Sequence, residues 1–128
     1  MVENREKYVD IIAHKQIDLC ANGLMEINML NVKITVMKMA CHQDLIDKYE
    51  NPIEHACDMK VGKEFISING ECPDGFCDSA WDSVSPFVKE LANGGENFYD
   101  GWMKNKKSAM ISCNDGFRPV SFYLEVIE

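Results

Sequence analysis

The stretch "KSAMISCNDGFRPVSFYLEVI", residues 107–127, decides how the fold is read. "KSAMISC" (107–113) and "RPVSFYLEVI" (118–127) have the length and the β-branched and aromatic content of strands, and the "NDGF" between them carries Asp-Gly, a strong hairpin signal. A lone hairpin cannot sustain itself in water, so upstream segments must supply further strands and a covering layer.

Working back along the chain, "VKITVMKMA" (32–40) alternates Val32, Ile34 and Val36 against Lys33, Thr35 and Lys38. That period of two predicts a strand with one buried face, and Met37 blurs the alternation near its end. "KEFISI" (63–68) reads as another strand, ended by Asn69-Gly70. "HQDLIDKYEN" reads as a short helix closed by Asn51-Pro52. Trp81, Val84, Val88 and Leu91 recur at helical spacing, but Pro86 lacks an N–H and suits a first helical position after Ser85. Two short pieces, 78–84 and 86–92, or one kinked helix, are expected. Residues 5–21 carry Val9, Ile12, Ala13, Ile17, Cys20 and Ala21 on one stripe, which predicts an N-terminal helix.

The order helix, β, α, β, α, β, β points to the α+β class: a small mixed sheet of about four strands with a C-terminal hairpin, packed by short helices, plus the N-terminal helix. Residues 1–28 read as a helical extension and 29–128 as a single α+β domain. An appended apolar stripe must be covered by the domain or by a second subunit, so a homo-oligomer formed through this helix is expected.

At 128 residues, with 46% hydrophobic and 27% charged, the chain has the size and composition of one globular domain. Its formal charge of −8 is uneven: residues 61–100 hold eight acids against Lys63 and Lys89, while Lys104, Lys106 and Lys107 form one small basic group. Such acidity argues against a nucleic-acid partner, which recruits Lys and Arg. No apolar run has the length to cross a bilayer and "MVENREKYVDII" is too polar for a signal peptide, so the expectation is a cytoplasmic protein without a membrane partner.

Six cysteines, Cys20, Cys41, Cys57, Cys72, Cys77 and Cys113, are many for this length, and reduced thiols are expected of a protein without a secretory signal. Each is then a small hydrophobe, a metal ligand or a reactive thiol. Cys72 and Cys77 flank Pro73-Asp74-Gly75-Phe76, within the range of spacings seen in structural zinc sites and equally that of two thiols beside a turn. Cys77 stands at a predicted helix N-terminus, which favours a thiolate, while Asp74, Asp78 and Asp82 oppose one. Cys113 ends a strand, and His55-Ala56-Cys57 puts an imidazole beside a thiol. Asp78 and Asp82, four apart, read as an acid/base pair or as the polar face of the helix. Arg118 reads as a bidentate anion clamp or as a counter-charge for the acidic 61–100 segment. "GGENFYDGWM" (94–103) offers Phe98, Tyr99 and Trp102 as a pocket lid or as core plugs.

"PDGFCDSAW", "SPFVKELANGG" and "CNDGFRPVSFYLEVIE", with "VKITV" and "KVGKEF" upstream, resemble a family of small uncharacterised bacterial and archaeal proteins. Its hallmarks are a Gly-Phe-Cys-x-x-Ala-Trp segment and a Cys-x-Asp-Gly-x-Arg-Pro-Val segment. The resemblance spans roughly Val32 to Glu128 and implies Cys57, Cys77, Cys113, Trp81 and Arg118 as family-type positions. It leaves Cys20, Cys41 and Cys72 outside the pattern, and it carries no activity with it.

No segment amounts to a catalytic signature. The leading expectation is a site at Cys57, Cys77 and Cys113 for a transition metal, zinc or an iron–sulfur cluster, completed by His55, Cys72 or an exchangeable ligand, with Trp81 and Trp102 as candidate cofactor-binding aromatics. The alternative is a thiol enzyme or redox protein for a small organic acid, with Cys77 as the reactive thiol and Arg118 holding the substrate carboxylate. A further alternative is a non-catalytic partner subunit that docks through its N-terminal helix.

Overall fold

The computed structural model describes residues 29–53 and 58–127. The predicted helix over 5–21, and with it the expected subunit contact, lies outside the described residues, as do His55 and Cys57. The elements run β1 (Asn31–Met39), α1 (Gln43–Tyr49), β2 (Glu64–Ser67), α2 (Asp78–Ala92), a helical turn at Phe98–Gly101, β3 (Ser108–Ser112) and β4 (Val120–Ile127).

The strands form one sheet in the order β2-β1-β4-β3. The α+β class, the four strands and the terminal hairpin are as the sequence predicts. Every neighbouring pair is antiparallel, however, so the sheet is not mixed. A parallel pair requires a crossover that returns the chain alongside its predecessor. Here the long helix α2 joins β2 to β3, which are opposite edges of the sheet, and creates no neighbouring pair.

β1 and β4 form the centre. Val32, Ile34 and Val36 are fully buried beside Val120, Phe122 and Leu124. The same alternation turns Lys33 to the other face, where its Nζ lies 3.7 Å from Glu64 and 3.8 Å from Glu125. The disturbance at Met37 has a structural cause: the register with β4 shifts between Val36 and Lys38, so Met37 is the extra residue of a β-bulge. Bulging returns Met39 opposite the buried Val120.

α2 lies across the apolar face of the sheet, burying Ala80, Val84, Val88, Leu91 and Ala92. Of the two expected forms it takes the single one, a helix of 15 residues with Pro86 inside it, not two pieces. An interior proline costs a helix about 3 kcal/mol. Val84, before Pro86, and Val88 and Leu91, after it, are each fully buried, and each such side chain contributes roughly 1.5–3 kcal/mol. Breaking the helix at Pro86 would pull one half of that stripe off the sheet, so packing wins over propensity. Pro86 itself is exposed. Among the described residues no helix is long and apolar enough to cross a membrane.

Since Pro86 makes no core contact and interrupts a continuous helix, Pro86→Ala is expected to stabilise the fold by roughly 1–2 kcal/mol, the helix gain less the entropy that proline removes from the unfolded chain. Urea denaturation of the two proteins measures the difference.

Candidate thiol site

The segment before α2 is a turn held by one ring. Phe76 N–H donates to Pro73 O at 3.2 Å, and Gly75 sits at φ +80°, the left-handed geometry that the third position of a type II turn requires and glycine supplies without strain. Phe76 is buried, its ring 4.9 Å from that of Phe65, 5.3 Å from Phe122 and 6.1 Å from Trp81. The ring wedges the turn between β2, β4 and the first turn of α2, and so fixes the next residue, Cys77.

Cys77 is the N-cap of α2, with extended backbone (φ −68°, ψ 124°) and no capping bond from its side chain. Its carbonyl accepts the Trp81 N–H at 2.9 Å, and the residue is half-buried. Facing it is the end of the β3–β4 hairpin. Cys113 N–H donates to Val120 O at 3.0 Å, and Val120 N–H donates back to Cys113 Sγ at 3.3 Å, so a sulfur takes the place of a carbonyl in the last rung of the ladder.

The loop between the strands is longer than the four residues "NDGF", because β4 begins only at Val120. Asp115 shapes it: one carboxylate oxygen accepts the N–H groups of Phe117 at 2.8 Å and Arg118 at 3.1 Å. The loop is tied to α2 by Ser79 Oγ and Asn114 Oδ1, 3.1 Å apart. Between these walls lies a cleft enclosing about 400 Å³, its open mouth included, with Cys77, Ser79 and Ala80 on the α2 side and Cys113, Asn114, Asp115 and Arg118 on the hairpin side. Met59, Val120 and Phe122 complete its lining.

Cys77 and Cys113 thus share one cleft. Cys72 is exposed, its thiol donating to the Pro73 carbonyl at 3.6 Å. The burial its thiol does have, then Asp78, Asp74 and the Cys77 sulfur, push its pKa up. Cys41 is also exposed, in α1's lead-in, and is not among the residues that line the cleft. Among the described residues no three His, Cys, Asp or Glu side chains are grouped as a metal site needs.

Arg118 departs from both expectations. Its Nη2 lies 2.9 Å from Glu50 Oε1 and its Nη1 3.1 Å from Glu50 Oε2, a two-pronged pair just beyond α1. Glu50 lies outside the acidic 61–100 segment, so Arg118 is not that segment's counter-charge, and its fork holds a carboxylate of the protein itself. That hydrogen bond raises the guanidinium pKa further. Two backbone bonds pin the same region, Ala40 N–H to Pro119 O at 2.9 Å and His42 N–H to Phe117 O at 2.8 Å.

The aromatics separate. Trp81 is half-buried against Phe76, whereas Trp102 is 81% exposed and its ring lies beside Tyr99, centroids 5.8 Å apart. Neither lines the cleft, which leaves the two tryptophans without a shared cofactor surface there. Tyr99 instead donates its hydroxyl to Met110 O at 2.9 Å on the edge strand β3. Asp78 and Asp82 are both exposed, as a solvated helix face requires.

Three contributors carried no warning in the sequence reading: Glu50, the Ser79–Asn114 tie and Met59. Asp115 did carry a signal, since Asp before Gly in a loop commonly accepts backbone N–H groups two residues on. No protein-family model, curated protein or solved structure matches the chain.

The Arg118–Glu50 pair is partly shielded, with side-chain exposures of 28% and 15%, so removing one partner leaves a charge poorly solvated. Arg118→Ala is expected to lower the stability, and Arg118→Lys to recover only part of the loss because one ammonium cannot match both oxygens. Denaturation midpoints of both variants, with Glu50→Gln for comparison, measure this.

Proposed function

We propose that the cleft is a thiolate site for a soft transition metal, with Cys77 and Cys113 as two of its ligands. The reading rests on one observation: the head of α2 and the end of β3 bring these two thiols to the same small cleft, one of them accepting a backbone N–H at sulfur. Thiolates suit zinc, Cu(I) and iron–sulfur clusters. A four-coordinate site needs more than two ligands. Cys57 and His55 remain the proposed additions, and Met59, two positions after Cys57, lines the cleft.

The segments Gly75 to Trp81 and Cys113 to Val120, on which the proposed family resemblance rests, supply residues to both walls of the cleft. The thiol-enzyme reading has less support, since the group it assigns to the substrate carboxylate, Arg118, is held at both nitrogens by Glu50.

Elemental analysis and UV–visible spectroscopy of protein purified without oxygen test this reading. About one metal ion or cluster per chain is expected, lost in both Cys77→Ser and Cys113→Ser. Metal-free wild-type protein, or metal retained by both variants, would remove the proposal.

A further inference from the structure

The exposed Cys72 has no part in the cleft, yet the turn that positions Cys77 positions it as well. The N–H of Phe76 closes the Pro73–Phe76 turn at 3.2 Å, so the chain doubles back and its two flanking residues are Cys72 and Cys77. Gly75 at φ +80° holds the reversal in place, and the buried Phe76 ring stops it from opening. Both thiols are free, Cys72 open to solvent and Cys77 half-buried without a capping bond that would have to break.

We infer that Cys72 and Cys77 are a reversible dithiol–disulfide pair, with Cys72 as the solvent-facing thiol that captures Cys77. The oxidant is a low-molecular-weight disulfide. One protein thiolate attacks it, forming a mixed disulfide and releasing one small thiol. The second protein thiolate then attacks the protein sulfur of that bond, forming the Cys72–Cys77 disulfide and releasing the second small thiol. The protein loses two electrons, the oxidant gains them, and the two protons from the protein thiols end on the two released thiols. Cys113 is the competing partner, but its sulfur is engaged by the Val120 N–H across the last rung of the hairpin. Where the cleft holds a metal, which rests on the function proposed above, closing this bridge removes the Cys77 thiolate from the ion and releases it.

Glutathione disulfide is the probe, applied to the full-length chain, followed by alkylation of remaining thiols and tryptic mass mapping. Cys72 and Cys77 fall in one tryptic peptide between Lys63 and Lys89, and Cys113 falls in another, so the bridge appears as the loss of two hydrogens within a single unalkylated peptide. It should form in wild-type protein, reverse with a dithiol reductant and be abolished by Cys72→Ser. That variant removes only an exposed side chain, and should keep its metal when treated with the oxidant. Formation of the bridge in protein that holds no metal would sink the metal reading alone and support this one. The inference is overturned if Cys77 bridges to Cys113 instead, if Cys72 and Cys77 are both alkylated after treatment, or if Cys72→Ser cannot bind metal before oxidation, which would make Cys72 a ligand.

Discussion

The arrangement of the cleft depends on the burial of one ring. Phe76 sits where the sheet's apolar face, the start of α2 and the incoming turn meet, in contact with Phe65, Phe122 and Trp81. Burying a phenylalanine contributes roughly 1.5–3 kcal/mol, which is large beside the net stability of a domain this small. The adjacent residue has no freedom once that ring is seated. Cys77 then stands at the helix cap on the wall of the cleft, and the glycine before the ring supplies the backbone geometry that lets the chain arrive there.

The opposite wall is held by polar bonds where the α2 side is held by packing. Asp115 gathers two N–H groups, Ser79 and Asn114 join the walls, and Arg118 carries the far side of the loop to Glu50. These bonds are partly solvated and individually modest, so they set the shape of the loop more than the stability of the fold. The Cys113 sulfur belongs to this second system through the Val120 N–H. A site divided between a rigid packed wall and a hydrogen-bonded loop can accept a ligand by adjusting the loop alone.

Much of this was legible in the sequence because local chemistry encodes it. Alternation at Val32, Ile34 and Val36 gave the central strand, Asp115-Gly116 the hairpin, and the Val84, Val88, Leu91 spacing the covering helix. The mixed sheet failed, and the choice between two helical pieces and one helix over 78–92 stayed open, for a common reason. Strand direction and tolerance of Pro86 are set by what packs across the sheet, which local propensity does not register. At the site, Cys77 and Cys113 could be singled out because cysteines at element ends are few, but their meeting depends on the tertiary path of α2 and β3. Glu50 was invisible for the same reason: its bond to Arg118 joins two segments distant in sequence, and an isolated Glu before Asn51-Pro52 has no pattern to mark it.

The central claim is that Phe76 holds Cys77 and Cys113 at one cleft. Its most direct measurement uses a short bis-alkylating reagent on the reduced Cys72→Ser chain, with the bridged peptides mapped by mass spectrometry. The account predicts a bridge joining Cys77 to Cys113, and its loss in a Phe76→Ala derivative at a temperature where that derivative remains folded. Single alkylation of each thiol with no bridge between them, or a bridge that persists after Phe76→Ala, would contradict it.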